Sequence, residues 1–390
     1  MPSLRMALPT RETWRRALGI VAAGGAVVFL LDCKHAYDVM QERSEASEKP
    51  CDPKEVAAVE MFYMEASLEE QLVDNATHEA QAEATQARAD EEHDEALYKI
   101  LRESVIFAAG GRAAMMQLAH PYVAQGISQH SNLKNGVQER FFRTFKYMFA
   151  MQYGTPEEAA RASRVVRKLH NGVRGELEED VGLFSKGHKY DAAHAHALLW
   201  VYLTLAESSI YIYELLVERL SEEAKDAFVA SNNRFAARFF AVPETLLPVN
   251  AAALDAMVNA MVHSRVLAVG GTASRIDSFL WAPPKARFWP LMALTRWVSL
   301  CQLPPRLGEA FGGRKIGRME RMRAALVLGY VRFTYRLMPP SFRWLTAYLA
   351  QEERYGKTQS PAAKYLSQVS ARVANLGLDA LMPPRAQGQL

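Results

Sequence analysis

The sequence predicts an all-helical protein with an apolar N-terminal segment, and three observations support this fold class. Half of the 390 residues are apolar (49%) and 23% are charged, as in proteins that fold around a core. Alternating β-branched runs joined by hairpin turns are scarce. Long segments are instead apolar at helical spacing; residues 197–220, ALLWVYLTLAESSIYIYELLVERL, are apolar nearly all round and predict a helix at the centre of the core.

The first 40 residues predict a membrane anchor. An uncharged run, residues 17–31, would form a helix about 22 Å long, which is shorter than a bilayer core of about 30 Å. A cleaved signal peptide, an Arg-rich organelle presequence and a buried helix are therefore alternatives. No small-residue cleavage pattern follows directly, so we favour an uncleaved single-pass anchor. The arginines that would keep the N-terminus cytosolic are Arg5, Arg11, Arg15 and Arg16.

The remaining chain divides by charge into three parts. Residues 41–97 form an acidic helical linker, since residues 41–100 hold 17 acidic against 5 basic residues. Residues 98–355 form the main helical domain. Within it, arginines alternate with aromatic residues over 283–355, which is typical of a membrane-facing surface or of an amphipathic core helix with a basic outer face. Residues 356–390 form a C-terminal tail. The net charge of +3 gives no support for a nucleic-acid partner.

Two consecutive helices carry the candidate site. Thr155, followed by Pro and then by Glu158 three residues after the cap, predicts the start of a helix. His170 lies on the apolar stripe of that helix, as a satisfied core residue or as a metal ligand. In the preceding helix, Arg140 and Thr144 share one face, and Arg143 lies beside them. Helical rise offsets Thr144 and His170 by only about 7 Å, so a flat cofactor could fit between the helices. The alternative is that the two arginines are surface cations.

The sequence lacks the motifs of several other enzyme classes. No histidine has Glu three residues before it, as a ferritin-like di-iron site requires, and HExxH is absent. The pair His194 and His196 has no carboxylate partner. GxSxG is missing, and Cys301 has no nearby histidine to activate it. The nucleotide-binding patterns GxGxxG and GxxxxGK[ST] are also missing.

An ordered series of motifs resembles a known catalytic domain. It comprises RESVIFAAGGRAAMMQLAHPYVAQGISQHSNL, then R-x-x-R-T, then YGTPEEAARASRVVRKLHNGVRG. The series is similar to the domain shared by bacterial rubber oxygenases (latex clearing proteins) and the ER-bound oxygenases of fungal mycophenolic acid synthesis. The resemblance covers roughly residues 98–355. It implies a fold related to the globins in its helix packing and a haem b cofactor.

The resemblance also assigns residues. It implies that His170 binds the haem iron, and that Arg140 and Thr144 lie on the side that receives O₂. Arg143 stands where the rubber-cleaving enzymes have a lysine that can ligate iron, a role for which arginine is poorly suited. Ala124 and Gln125 occupy the neighbourhood of the family's distal acid, so His120 and His130 are the alternative proton donors.

The function expected from this resemblance is oxygenation of a lipophilic, possibly isoprenoid, alkene by a membrane-associated haem enzyme that cleaves the C=C bond. The expected location is a membrane, with the endoplasmic reticulum as one candidate organelle. The alternative is a membrane-tethered helical protein that binds haem or lipid without oxygenase turnover.

Overall fold

The computed structural model describes residues 11–65, 94–131, 137–240, 242–283, 285–356, 360–369 and 372. The described chain is mainly helical, which confirms the all-helical fold class. The relation to the globins stays a prediction. In chain order the α-helices are α1 (Arg11–Glu48), α2 (Pro53–Glu65), α3 (Glu95–Leu101), α4 (Ala109–Leu118), α5 (Pro121–His130), α6 (Val137–Tyr153), α7 (Pro156–Asn171), α8 (Ala195–Leu216), α9 (Glu222–Phe239), α10 (Ala251–His263), α11 (Gly271–Leu280), α12 (Trp289–Gln302), α13 (Pro305–Gly312), α14 (Arg318–Leu337), α15 (Pro340–Arg343) and α16 (Thr346–Arg354).

Short elements complete the fold. Single 3₁₀ turns span Ser104–Ala108, Glu244–Leu246 and Ala286–Phe288. A two-stranded antiparallel sheet pairs β1 (Arg174–Glu176) with β2 (Lys189–Asp191), with Gly175 opposite Tyr190. Residues 361–369 are helical, and the rest of the predicted tail lies largely outside the described residues.

Helix α8 forms the centre of the core, as its sequence predicts. It contacts α1, α3, α4, α9, α10 and α14, and nearly all of its side chains are buried. One buried ion pair fixes α4 against it. Arg112 of α4 donates to both carboxylate oxygens of Glu207, to the hydroxyl of Ser208 at 2.6 Å and to the carbonyl of Gln302 at 3.0 Å. Satisfying every polar group offsets the cost of burying two charges.

Helix α1 lies along α14. Gly329 permits the contact, because a Cβ placed there would lie 2.6 Å from the Cα of Cys33. The buried carboxylate of Asp32 accepts hydrogen bonds from Arg332 Nε at 2.9 Å and from Arg336 Nη1 at 3.0 Å. The second half of α1 is therefore held on the body by close backbone approach and by a buried ion pair.

The apolar run 17–31 belongs to this long helix. Among the described helices, none is long and apolar enough to span a bilayer. The single-pass anchor predicted for residues 1–40 thus has no support in the described part of the chain, and residues 1–10 lie outside it. In α1 the apolar run continues without a break into polar residues, of which Asp32 and Ser44 are buried against the body.

The acidic segment contributes to the core. Helix α2 contacts α10, and its Tyr63 is only 3% exposed within the main core. Glu60 of the same helix accepts from Arg265 Nη2 at 2.7 Å and from the Arg265 backbone at 2.7 Å. This part of the predicted 41–97 linker is docked on the protein, while residues 66–93 lie outside the described residues.

Candidate active site

The candidate site lies on the antiparallel pair formed by α6 and α7. The two helices pack against each other and are joined at Gly154, as predicted. Thr155 caps α7 by accepting from the backbone of Glu158, whose carboxylate accepts from the Thr155 backbone at 2.9 Å, and Pro156 occupies the first helical position. This reciprocal cap and the proline fix where α7 begins. The sequence alone predicts this local structure correctly.

The predicted residues lie on these two helices. Thr144 and Arg143 are exposed on α6, and His170 is half-buried in the last turn of α7. Arg140 belongs to α6, but its side chain lies outside the described residues. Helical rise offsets Thr144 from His170 by about 7 Å along the pair. The hydroxyl and the imidazole thus come from adjacent packed helices, offset by a little more than one helical turn.

Apolar side chains next to these residues are partly open to solvent. Leu169, which precedes His170, is 52% exposed, and Phe107 is 43% exposed. The ring of Phe107 packs against Phe145, the neighbour of Thr144, at 5.3 Å between centroids, and against Phe149 at 5.7 Å. A surface that combines open aliphatic and aromatic groups with polar side chains is typical of a ligand site.

The set of predicted residues contains one side chain of a type that ligates haem iron. Haem iron takes one axial side chain from the protein, and the His170 imidazole is suited to that role. Within the described residues, no group of three or more His, Cys, Asp and Glu side chains is placed to hold a metal ion. His194 and His196 have other contacts: His194 caps α8, and His196 stacks on Phe62.

The neighbourhood of the family's distal acid lies on α5, close to the end of α7. A Cβ on Gly126 would approach Val173, three residues after His170, to 3.3 Å. Ala124 and Gln125 precede this glycine and are both buried. In the described part of the chain, the Gln125 Nε2 finds no hydrogen-bond acceptor. Ala124 and Gln125 line a small cleft together with Leu177 and Glu179, so a buried amide and a carboxylate both lie in this part of the structure.

The two histidines proposed as alternative proton donors are already bonded. His120 Nδ1 accepts from the Tyr122 backbone at 3.2 Å, and its Nε2 lies 3.0 Å from the Tyr63 hydroxyl. Burial lowers the pKa of His120 to about 3, so the ring is neutral. His130 Nε2 lies 3.0 Å from the carbonyl oxygen of Arg174. The hydrogen bonds of His120 and His130 are thus made to other groups.

Sequence reasoning missed a cluster of neutral histidines around α2. The rings of Tyr63 and His194 are parallel, with centroids 5.1 Å apart, and the Tyr122 hydroxyl lies 2.7 Å from His188 Nε2. Burial lowers the pKa of His194 to about 3 and that of His196 to about 4. The motifs AHPY and HAHA are the local sequence signals of this cluster. Its other main member, Tyr63, comes from α2, which is far away in the chain, so the sequence does not indicate that these side chains meet. This histidine–tyrosine cluster comprises Tyr63, His120, Tyr122, His188, His194 and His196.

The fold is mainly helical, and the class of catalytic domain follows from comparison with known families. Residues 98–344 match the family described as "ER-bound oxygenase mpaB/B'/Rubber oxygenase, catalytic domain". The chain belongs to this family, and the match confirms the resemblance stated from the sequence motifs. No curated protein and no solved structure compared with the chain matches it significantly.

Proposed function

We propose that the protein is a haem b-dependent oxygenase that acts on a lipophilic alkene, such as an isoprenoid, and cleaves its C=C bond. One observation carries the proposal: Thr144 and His170 lie on adjacent packed helices, beside apolar side chains that are open to solvent. Membership of an oxygenase family supports the reaction class. Haem, when bound, would supply the iron that activates O₂.

The protein's own residues would have separate roles. The His170 imidazole would hold the iron. The Thr144 hydroxyl and the Arg140 guanidinium would donate hydrogen bonds to the oxygen substrate, and the apolar groups at Phe107 and Leu169 would exclude water and contact the alkene. Arg143 would add a fixed positive charge, because a guanidinium stays protonated at all ordinary pH values.

Membrane association is part of the proposal. Val27, Leu30 and Leu31 of α1 are 57%, 62% and 60% exposed, and Leu326 and Tyr330 of α14 are 49% and 61% exposed. Since α1 lies along α14, these side chains support contact with a bilayer. A lipophilic substrate would then reach the enzyme from the bilayer. The family's description as ER-bound supports that organelle.

One observation favours a second function. The neighbourhood of the distal acid holds Ala124 and Gln125, which have no acidic proton to give. A membrane-tethered protein that binds haem or lipid without turnover would not need one. Oxygen uptake with lipophilic alkenes separates the two functions, because a pure binder consumes no O₂ above the rate of haem autoxidation.

The test of the haem site is an absorbance spectrum and a pyridine haemochrome assay of the detergent-solubilised chain. We expect about one haem per chain, its loss in His170→Ala, and its retention in the matched control His263→Ala on α10. Thr144→Ala should keep haem and lose turnover. Full haem content in His170→Ala would remove the central claim.

A further inference from the structure

One cavity of the structure has no lining residue on α6 or α7. It has a volume of about 390 Å³ and is enclosed by α11, α12, α13 and α14 with their connecting turns. This volume is within the range of small-molecule sites, about 300–1,000 Å³. Its walls combine three indole rings with two guanidinium groups and one carboxylate, namely Trp281, Trp289, Trp297, Arg296, Arg314 and Glu320.

A buried carboxylate beneath the wall holds two of these side chains in place. Asp277 is 3% exposed, and its Oδ1 accepts from Trp281 Nε1 at 2.9 Å. Its Oδ2 accepts from Arg296 Nε at 3.1 Å and Nη2 at 2.7 Å. The same Nη2 also donates to the carbonyl of Phe311 at 3.0 Å. One face of the cavity is therefore built before any ligand enters, which lowers the entropic cost of binding.

The carboxylate oxygens in and beneath the cavity wall already accept hydrogen bonds from the protein. Glu320 Oε1 lies 2.5 Å from Arg314 Nη2, and its Oε2 accepts from the Gly317 backbone at 3.2 Å. Both oxygens of Asp277 are also bonded, as described above. A ligand that brings hydrogen-bond donors would therefore have to compete with arginine for these carboxylates.

Several N–H groups of the cavity wall are not used in these hydrogen bonds. Considering the described residues only, the indole N–H groups of Trp289 and Trp297 have no acceptor, and the bonds of Arg296 leave its Nη1 unused. Arg314 is bonded to Glu320 through Nη2 and has a largely exposed side chain. Each guanidinium is already paired with one carboxylate, so the charges of the wall balance, but its unused N–H donors favour a ligand that carries acceptors, such as a carboxylate.

The rest of the lining is apolar. Ala293 and Leu300 of α12 and Ile316 complete the wall between the indole rings. The outer face of α12 continues this character, since Trp289, Leu291 and Leu294 are 63%, 51% and 41% exposed. An alkyl chain placed in the cavity would meet aromatic and aliphatic groups along its length, and its burial would supply most of the binding energy.

From these observations we infer that this cavity binds an amphipathic carboxylate, with its alkyl chain among the indole rings and its carboxylate at Arg296, Arg314 and the free indole N–H groups. The site is separate from His170, and the inference does not rest on haem binding. A fatty acid is the simplest ligand of this chemistry.

The experiment uses the full chain and terminally brominated dodecanoate, because bromine quenches tryptophan fluorescence only at short range. Three of the six tryptophans line the cavity, so binding should quench a large part of the emission. Unbrominated dodecanoate and dodecyltrimethylammonium, both below their micellar concentrations, then compete for the site. We expect the carboxylate to displace the probe at least tenfold more effectively, as one charge-assisted hydrogen bond suffices for such a factor.

Two variants of α12 test the location. Ala293→Phe places a ring in the cavity, whereas Thr295→Phe adds the same ring at an exposed position of the same helix. We expect Ala293→Phe to weaken probe binding at least tenfold and Thr295→Phe to leave it within twofold, with thermal unfolding as the check on folding. Equal displacement by the ammonium compound would overturn the proposal, and this arm needs no variant. Unchanged binding in a folded Ala293→Phe would overturn it too.

Discussion

Burial of the histidines in the histidine–tyrosine cluster should make the folded protein less stable at acidic pH. His120 is fully buried, and burial, with a smaller contribution from His196, lowers its pKa from 6.5 to about 3. The folded protein thus holds a neutral ring that becomes protonated in the unfolded chain below pH 6.5. The stabilisation is complete above that pH and is lost as the pH falls toward the folded pKa. At pH 5, which is about 1.5 pH units below 6.5, His120 alone should cost about 2 kcal/mol of unfolding free energy.

The variant that isolates this effect is His120→Asn. Asparagine does not titrate, and its side-chain oxygen can replace Nδ1 as the cap of α5. The variant loses the hydrogen bond to Tyr63 and is less stable at every pH. Its loss of stability between about pH 8 and pH 5 should nevertheless be about 2 kcal/mol smaller than that of the unmodified protein. His194 and His196 remain and keep their own share of the acid sensitivity.

Urea unfolding followed by far-UV circular dichroism at several pH values measures the difference. His130→Asn replaces an exposed histidine at the other end of the same helix and serves as the control. If the curves of unfolding free energy against pH are parallel for the unmodified protein and His120→Asn, the burial argument is refuted.

Two further substitutions test the packing of the core helices. Arg112→Met should lower the unfolding free energy by about 3 kcal/mol, because the buried Glu207 carboxylate then lacks its main partner; an unchanged urea midpoint would contradict this. Gly329→Ala should cost about 1–3 kcal/mol, because its Cβ meets the Cys33 backbone, and limited proteolysis should release α1 sooner. Gly312→Ala is the matched control, since its nearest neighbour would be 3.9 Å away, and equal losses in both glycine variants would refute the packing argument.

Local signals in the sequence predict the helices that carry the candidate site, whereas the roles of its residues stay predictions. The cap at Thr155 and the end of α7 after Asn171 follow from residues within one or two turns of each other. The burial of α8 follows from its composition. Such features depend on helix propensity and capping, which are properties of short segments. The antiparallel pairing of α6 and α7 then follows from the short turn at Gly154.

Contacts between distant segments could not be predicted in the same way. Tyr63 meets His120 across 57 residues of sequence, and Gly329 meets Cys33 across nearly the whole chain. The strands β1 and β2 have only three residues each, so they carry no periodic pattern to detect. The composition of the apolar run 17–31 predicts a membrane anchor. The helix that contains the run is instead positioned by Asp32 and by its contact with α14, which lie outside that run.

The residues around α5 and α6 bear directly on how an oxygenase of this kind could deliver protons. The resemblance implies that Arg143 stands at the family's lysine and that Ala124 and Gln125 stand near its acid. Neither the Ala124 methyl group nor the Gln125 amide can supply a proton near neutral pH. The Gln125 amide can still donate a hydrogen bond, and no described acceptor uses its Nε2. Under the proposed oxygenase function, chemistry at this site would rely on hydrogen-bond donation by these residues, with water or the substrate as a proton source.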